Sequence, residues 1–155
     1  SNIFSFNEKV LKKTIKSLKL GKLAGLPTET VYGLAGNAYS ESAVKKIFIL
    51  KKRPKKNPLI IHYDKIKDAE KDVILNRNFY KLYRKFSPGP ITFILKKKIN
   101  SKINPIATAN LNTVAIRFPE HKATKLILKS INFPLAMPSA KSFFKIKSSS
   151  SFRCA

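Results

Sequence analysis

Apolar residues recur at helical spacing in several stretches of the chain. The first stretch follows Asn7, a favourable helix cap, and places Leu11, Ile15 and Leu18 on one stripe while lysines fill the other face. Ser40 can cap a second helix in the same way. Each such helix would bury its apolar stripe against a core. The spacing predicts helices over residues 7–20, 41–50, 65–75, 77–86 and 121–130.

Short apolar runs between these helices predict β-strands. Most are bounded by Pro, Gly or clusters of polar residues, which is typical of strand ends. The Ser-Pro-Gly-Pro sequence at 87–90 cannot continue a helix and predicts a sharp turn. Residues 99–111 are expected to form a loop. The predicted strands cover residues 23–26, 59–61, 91–95, 113–118 and 134–137.

A dense cationic loop precedes one of these strands. Residues 51–62 read KKRPKKNPLIIH, in which two prolines fix their own φ and favour extended geometry at Arg53 and Asn57. We therefore expect the intervening side chains to be held apart. Such a loop could clamp phosphate, or it could be a lysine run that faces solvent, and its charge alone leaves both interpretations open.

Polar side chains at other strand ends also suggest a site. Residues 28–34, TETVYGL, are expected to form a loop after the first strand, where open α/β sheets bind ligands, although Thr and Tyr are also ordinary strand residues. His62 ends the strand that follows the cationic loop, as a structural residue or as a ligand contact. Arg117, near the end of a later strand, could form a surface ion pair or bind a carboxylate or phosphate.

Composition restricts the possible classes of protein. The chain has 155 residues, the length of one domain, and its 32 Lys and Arg against 8 Asp and Glu give a net charge of +24. This charge favours a polyanionic partner, although an AT-rich genome would also enrich lysine. One cysteine, Cys154, and two histidines exclude an intrachain disulfide framework and a structural zinc site. No apolar run is long enough for a bilayer, so we expect no membrane partner, and the single cysteine fits a cytoplasmic protein.

Five stretches together resemble the YrdC-like threonylcarbamoyl-AMP synthase family. They occur in the family's order and at its usual separations over residues 8–140, and five motifs in order are far more specific than one. The resemblance implies an α/β fold, with a twisted mixed sheet flanked by helices and a basic concave cleft. It implies a YrdC-like domain over residues 1–141, incomplete at its C-terminus, before a serine-rich low-complexity tail over 142–155. The five stretches are 27–34, 47–62, 87–92 (SPGPIT), 114–117 (VAIR) and 138–140 (PSA).

The implied reaction joins L-threonine, bicarbonate and ATP to give threonylcarbamoyl-AMP and pyrophosphate. Mg²⁺ would accompany the nucleotide, and no metal site formed by the protein itself is expected. The product would serve threonylcarbamoyl modification of tRNA, together with partner enzymes. Motif matching assigns ATP contacts to Lys51, Arg53, Asn57, Thr113 and Ser139, with Lys51 and Arg53 also in catalytic roles. It assigns L-threonine contacts to Thr30, His62, Arg117 and Met137.

Two positions depart from the family pattern. Lys141 stands where the family has the Asn of Ser-x-Asn, and Lys52 stands where Gly is common. Because the family domain continues for several more elements, we expect a truncated or frame-shifted copy with weak ATP binding and poor or absent synthesis. The main alternative is a non-enzymatic module that binds tRNA or double-stranded RNA through phosphates. A P-loop hydrolase is disfavoured because no Gly-x-x-x-x-Gly-Lys-Ser/Thr sequence is present.

Overall fold

The structure, a computed structural model, describes residues 7–28 and 32–138. In these residues one mixed sheet of six strands has helices on both faces, which confirms the expected α/β architecture. The helices are α1 (Glu8–Lys19), α2 (Glu41–Lys51), α3 (Ile66–Ala69), α4 (Arg77–Phe86) and α5 (Lys122–Lys129). The strands are β1 (Ala24–Pro27), β2 (Tyr32–Asn37), β3 (Ile60–His62), β4 (Phe93–Lys96), β5 (Thr113–Arg117) and β6 (Leu135–Ala136).

The sheet has the strand order β1-β2-β6-β3-β5-β4. Strands β3 and β5 are parallel, and every other neighbouring pair is antiparallel. The sheet is therefore assembled from pairs that are distant in sequence, because β6 inserts between β2 and β3. This insertion brings residues near 136 beside residues near 35 and 61.

Each face of the sheet carries a core of its own. The larger core packs α2, α3 and α4 on one face, where Ile47, Phe79 and Ile116 are almost completely buried. The smaller core lies under α1 and α5 on the other face and includes Leu18 and Leu135. Because α1 and α5 contact β1 and β2, this second layer covers mainly one end of the sheet.

Two helices, α1 and α2, begin at the capping residues that the sequence predicts. The Asn7 side chain accepts a hydrogen bond of 3.0 Å from the Val10 amide, and the Ser40 hydroxyl accepts one of 3.3 Å from the Ala43 amide. Both predicted caps are thus confirmed. These contacts satisfy backbone donors that the first turn of a helix leaves without partners.

The loop expected over residues 28–34 is partly wrong, because β2 begins at Tyr32. Strand β2 pairs with β1 through residues 32–35 and with β6 through Gly36 and Asn37, yet its sequence, YGLAGN, has two glycines and no β-branched residue. The two glycines are required by close packing. A Cβ on Gly33 would lie 2.2 Å from Cγ of Met137, and one on Gly36 would lie 2.7 Å from Cδ2 of Leu23. Neighbouring side chains fill the space that β2 leaves empty.

The helix predicted over residues 65–75 is confirmed at its start but is too long. Only α3 is helical there, and the chain then turns so that Val73 bridges Lys97 in an antiparallel pair. The reason is Asp72, which is 1% exposed and accepts four hydrogen bonds. The donors are the hydroxyls of Tyr39 (2.7 Å), Tyr63 (2.8 Å) and Ser101 (2.8 Å) and the Lys102 amide (3.1 Å). Burial, together with this carboxylate, raises the pKa of both tyrosines.

Lys52 gives a prediction about stability. It ends α2 in the left-handed conformation, at φ 47°, which disfavours side chains with a Cβ. We expect Lys52→Gly to raise the free energy of unfolding by about 1 kcal/mol in urea denaturation. Lys55→Gly, in the same loop but without a positive φ, is the matched control and should not stabilise. An equal gain in both variants would contradict this explanation.

Candidate functional site

Half of one sheet face is open. Along β4 the residues alternate between buried and exposed, and along β5 between half-buried and buried, so one face of both strands lies in the larger core. The opposite face is not sealed, since Ile94 is 66% exposed. This open area extends across β3, β5 and β4, beside the part of the same face that α1 and α5 cover.

Strand register arranges the side chains of this open area in three rows. The middle row is apolar and consists of Ile60, Ala115 and Ile94, which are successive cross-strand partners. On one side of the middle row, Thr113 pairs with Lys96. The cationic loop leads into the start of β3, and because β3 and β5 are parallel, it lies at the same edge as Thr113, the first residue of β5. We call this the loop edge: residues 51–58, Thr113 and Lys96.

The opposite side of the middle row is the arginine edge, which consists of His62, Arg117 and Thr92. His62 and Arg117 are partners in the parallel ladder, and Thr92 immediately precedes β4. Thr113 and Arg117 lie four residues apart on β5, so the two edges are separated by about 13 Å. The two polar edges thus lie on opposite sides of the apolar middle row.

The cationic loop is a closed turn rather than the extended segment that its prolines predicted. The amide of Asn57 donates to the carbonyl of Pro54 at 3.0 Å. The Arg53 guanidinium spans the turn, with Nε donating to the Asn57 carbonyl at 2.9 Å and Nη2 donating to the Pro58 carbonyl at 2.7 Å. Arg53 therefore holds the loop together as well as adding charge. Lys55 and Lys56 are exposed.

Two cations of the loop edge are partly withdrawn from water. Burial lowers the pKa of Lys51, and the nearby positive charge of Arg53 lowers it further. Burial also lowers the pKa of Arg53. Partial burial disfavours the charged forms of both side chains, so a bound anion would stabilise them. Such an anion would be bound more tightly here than by fully solvated lysine and arginine side chains. This electrostatic arrangement suits a phosphate group.

At the arginine edge, a hydroxyl fixes the Arg117 side chain. Thr92 Oγ1 accepts from Nη2 of Arg117 at 2.7 Å and from Nε at 3.2 Å. A guanidinium carries five N–H donors in a planar fork, so one of its edges is occupied by this contact. The edge formed by Nη1 and Nη2 has the geometry that binds a carboxylate through two parallel hydrogen bonds.

His62 lies beside Arg117, as the matched motifs suggested, but its ring is buried, with 1% exposure. Burial and then the Arg117 charge lower the pKa of His62 to about 3, although hydrogen bonding to backbone carbonyls of Ile60 and Leu135 opposes this effect. Nδ1 lies 3.2 Å from the Ile60 carbonyl oxygen. The ring is consequently neutral at physiological pH and adds no second positive charge to the arginine edge.

Met137 brings two of the sequence motifs together. Its amide donates to the Ile60 carbonyl at 3.0 Å, and its side chain fills the space above Gly33. The next residue, Pro138, accepts from the Leu34 amide at 3.1 Å. The chain around 137–138 is therefore fixed between β2 and β3, close to the open area.

The structure assembles most of the residues that were selected from sequence. Thr30 and Ser139 lie outside the described residues, as does Lys141. Asn57 and Thr113 lie with Lys51 and Arg53 at the loop edge, and His62 and Arg117 lie at the arginine edge. These assignments to ligands stay predictions.

The sequence analysis did not select Lys96, which begins a run of three lysines at residues 96–98. Lys96 is exposed on the open face and pairs with Thr113. Its two neighbours are engaged elsewhere: Lys97 donates to Thr108 Oγ1 at 3.4 Å, and Lys98 donates to the Glu70 carbonyl. Side chains along β4 point alternately to the two faces of the sheet. Correct bounds for β4 would therefore have placed Lys96 on the same face as Ile94 and distinguished it from the two lysines that follow.

The described residues contain neither a cluster of metal-ligating side chains nor a helix that could span a membrane. Within residues 7–28 and 32–138, no three His, Cys, Asp or Glu side chains cluster in a way that could hold a metal ion. None of the helices in this part of the chain has the length and apolar character needed to cross a bilayer.

Comparison with known proteins gives a consistent result. Residues 16–151 match the model of the Sua5/YciO/YrdC family, which is described as "Telomere recombination". The threonylcarbamoyl-AMP synthase of Pyrococcus abyssi is 41% identical over 127 residues, which cover 79% of this chain and 36% of that protein. The synthase of Bacillus subtilis is 38% identical over 138 residues, covering 88% of this chain and 39% of that protein.

A solved structure shares the fold. The crystal structure of P. abyssi Sua5 complexed with L-threonine superposes with a TM-score of 0.80 at 39% identity, covering 86% of this chain and 39% of that one. The chain thus spans less than half the length of each of these relatives. The family match over most of the chain and the shared fold lead to one conclusion: the chain belongs to the Sua5/YciO/YrdC family.

Proposed function

We propose that this chain acts as an L-threonylcarbamoyladenylate synthase, which makes threonylcarbamoyl-AMP and pyrophosphate from L-threonine, bicarbonate and ATP. The observation that carries the proposal is the open sheet face with cationic groups at two opposite edges. A reaction that joins an amino acid to a nucleotide needs two anion sites on one surface. The separation of about 13 Å leaves room for the bond-forming atoms between them.

The loop edge would hold the triphosphate of ATP. Lys51 and Arg53 have lowered pKa values because of partial burial, so a polyanion would compensate the cost of holding them there. Asn57, Thr113, Lys96 and Ser139 would add further contacts. Since no acidic cluster occurs in the described residues, Mg²⁺ would be bound mainly by the phosphates of the nucleotide.

The arginine edge would hold L-threonine. Arg117 would bind the carboxylate through two parallel hydrogen bonds, while the other edge of its guanidinium donates to Thr92 Oγ1. A carboxylate placed there would direct the amine toward the apolar middle row. Thr30, the neutral His62 and the chain at Met137 would complete the contacts to the amino acid.

The chemistry would then proceed between the two edges. The threonine amine would attack the carbon of bicarbonate, and water would leave, which yields a carbamate. A carbamate oxygen would attack the α-phosphorus of ATP, and pyrophosphate would leave. Charge builds up on phosphate oxygens in that step, so preorganised cations at the loop edge would stabilise it. The described residues would act by orientation and electrostatics, without a covalent nucleophile.

Similar proteins support this proposal. Two relatives at 38% and 41% identity are named threonylcarbamoyl-AMP synthase, and the solved structure described above contains L-threonine. Use of the product in tRNA modification, with partner enzymes, belongs to the same proposal.

A pair of charge-removing variants tests the two edges separately. We expect Lys51→Gln to weaken ATP binding about tenfold and leave L-threonine binding unchanged, since the loss of one charge-assisted hydrogen bond costs roughly 1.5 kcal/mol. Arg117→Gln should weaken L-threonine binding and leave ATP binding unchanged. Isothermal titration calorimetry with each ligand measures both effects. Lys51 is preferred to Arg53 because Arg53 also fixes the loop.

Lys56→Gln is the matched control for charge. It removes an exposed lysine from the same loop and should change neither affinity by more than about twofold. If all three variants weakened ATP binding equally, general electrostatic attraction would explain the binding, and the two-edge arrangement would be wrong.

A further inference from the structure

We propose that Thr92 is the positioning residue of the amino-acid site: its hydroxyl fixes the Arg117 guanidinium in the orientation that receives the substrate carboxylate. This inference rests on the function proposed above and gives a specific role to a residue to which the matched motifs assign no ligand. Thr92 would not touch the reacting atoms. It would act through Arg117.

The contact itself is the first argument. Thr92 Oγ1 accepts from both Nε (3.2 Å) and Nη2 (2.7 Å), so it binds one whole edge of the guanidinium rather than a single donor. Two hydrogen bonds to one oxygen restrict rotation of the guanidinium plane about the side-chain axis. The remaining fork, Nη1 with Nη2, is then presented in one direction. Preorganisation of this kind lowers the ordering cost of binding a carboxylate.

The backbone that carries Thr92 is itself held rigidly, which is the second argument. Thr92 immediately precedes Phe93, which pairs with Ile116, so sheet register sets Thr92 opposite Arg117. The Gly89 amide donates to the Phe118 carbonyl at 2.9 Å, which ties the preceding turn to the residue after Arg117. The rings of Phe93 and Phe118, both buried, pack with centroids 6.4 Å apart. A residue on a rigid element can hold a neighbour precisely enough for function.

The sequence context fits the same role. Thr92 ends the segment SPGPIT, and neither its turn-forming residues nor its strand requires a hydroxyl at this position. Valine has nearly the same shape and a higher preference for strands, so a purely structural residue here could be apolar. The hydroxyl is explained by the guanidinium that it binds.

The test compares Thr92→Val with Thr92→Ser. Removal of the hydroxyl should weaken L-threonine binding about fivefold, the loss typical of one hydrogen bond, and leave ATP affinity within about twofold. Thr92→Ser should restore L-threonine affinity to near that of the unmodified chain. Thr14→Val, the same substitution at a buried position of α1, is the matched control and should change neither affinity.

A second measurement does not depend on ligand binding. The Arg117 Nε–H resonance, assigned by its loss in Arg117→Lys, should exchange with solvent faster in Thr92→Val and at the original rate in Thr92→Ser. Lowered thermal stability with unchanged L-threonine affinity and unchanged Nε–H exchange would overturn the positioning role alone. Failure of the unmodified chain to bind L-threonine at all would overturn the proposed function and this inference together.

Discussion

Replacement of Asp72 by alanine is expected to lower the free energy of unfolding by about 3–5 kcal/mol. The carboxylate is 1% exposed and receives four hydrogen bonds, two of them from tyrosine hydroxyls. Tyr63 is itself 2% exposed, so its hydroxyl would lose its acceptor without gaining water. A buried donor without a partner costs about 1–3 kcal/mol, and the lost charge-assisted bonds add to that. Urea denaturation followed by circular dichroism measures the change.

Asp68→Ala is the matched control for this prediction. Asp68 is close in sequence but is partly exposed, where it forms an ion pair with Lys71 at 3.4 Å. Its replacement should change stability by less than about 1 kcal/mol. Similar losses in both variants would show that Asp72 is not the centre of a buried network. Asp72→Ala should also accelerate hydrogen exchange at the Lys102 amide, which donates directly to the carboxylate.

A decrease in pH from 7 to 5 is expected to cost about 2 kcal/mol of stability through His62. The ordinary pKa of histidine is about 6.5, whereas burial and the Arg117 charge lower the pKa of folded His62 to about 3. Between these values the unfolded chain binds a proton that the folded chain does not. Stability is therefore fully present above pH 6.5 and falls as the pH decreases toward 3. Urea denaturation at a series of pH values measures the slope.

Two single variants separate His62 from the other histidine. His62→Asn should remove most of the slope between pH 7 and 5, whatever its effect on stability at pH 7. His121→Asn leaves the buried ring in place, so the contribution of His62 should persist. A slope that survives in His62→Asn would assign the pH dependence to another group and would contradict a neutral, buried His62.

Local sequence signals predicted much of the fold. The caps at Asn7 and Ser40 need only residues within one turn, and α1, α2, α4 and α5 follow from helical spacing. Strand β2 was missed because its glycines accommodate side chains from other segments: Gly33 faces Met137, which lies more than a hundred residues away, and Gly36 faces Leu23. The turn at Asp72 was missed because its hydrogen-bond partners come from residues 39, 63, 101 and 102. Contacts between distant segments decided both features.

In the candidate site, too, local features could be predicted from sequence and features that depend on distant segments could not. The cationic loop and Arg117 could be selected from sequence, since charge and strand ends are local properties. Their arrangement at two edges of one face could not, because it depends on the register between β3, β4 and β5. The prolines suggested an extended loop, but the Arg53 guanidinium captures two carbonyl groups and closes the turn. Thr92 and Lys96 acquire a role only when their cross-strand partners are known.

Formation of threonylcarbamoyl-AMP by this chain is the most direct test of the proposed function. The chain is incubated with ATP, L-threonine and bicarbonate, and the product is detected by mass spectrometry, which also registers slow turnover. We expect slow formation of threonylcarbamoyl-AMP and pyrophosphate, in keeping with the poor synthesis expected from the sequence, only when all three substrates are present, and less product from Arg117→Gln and Lys51→Gln. Salt-sensitive RNA binding without any threonine-dependent product would contradict the proposal and favour a nucleic-acid-binding module.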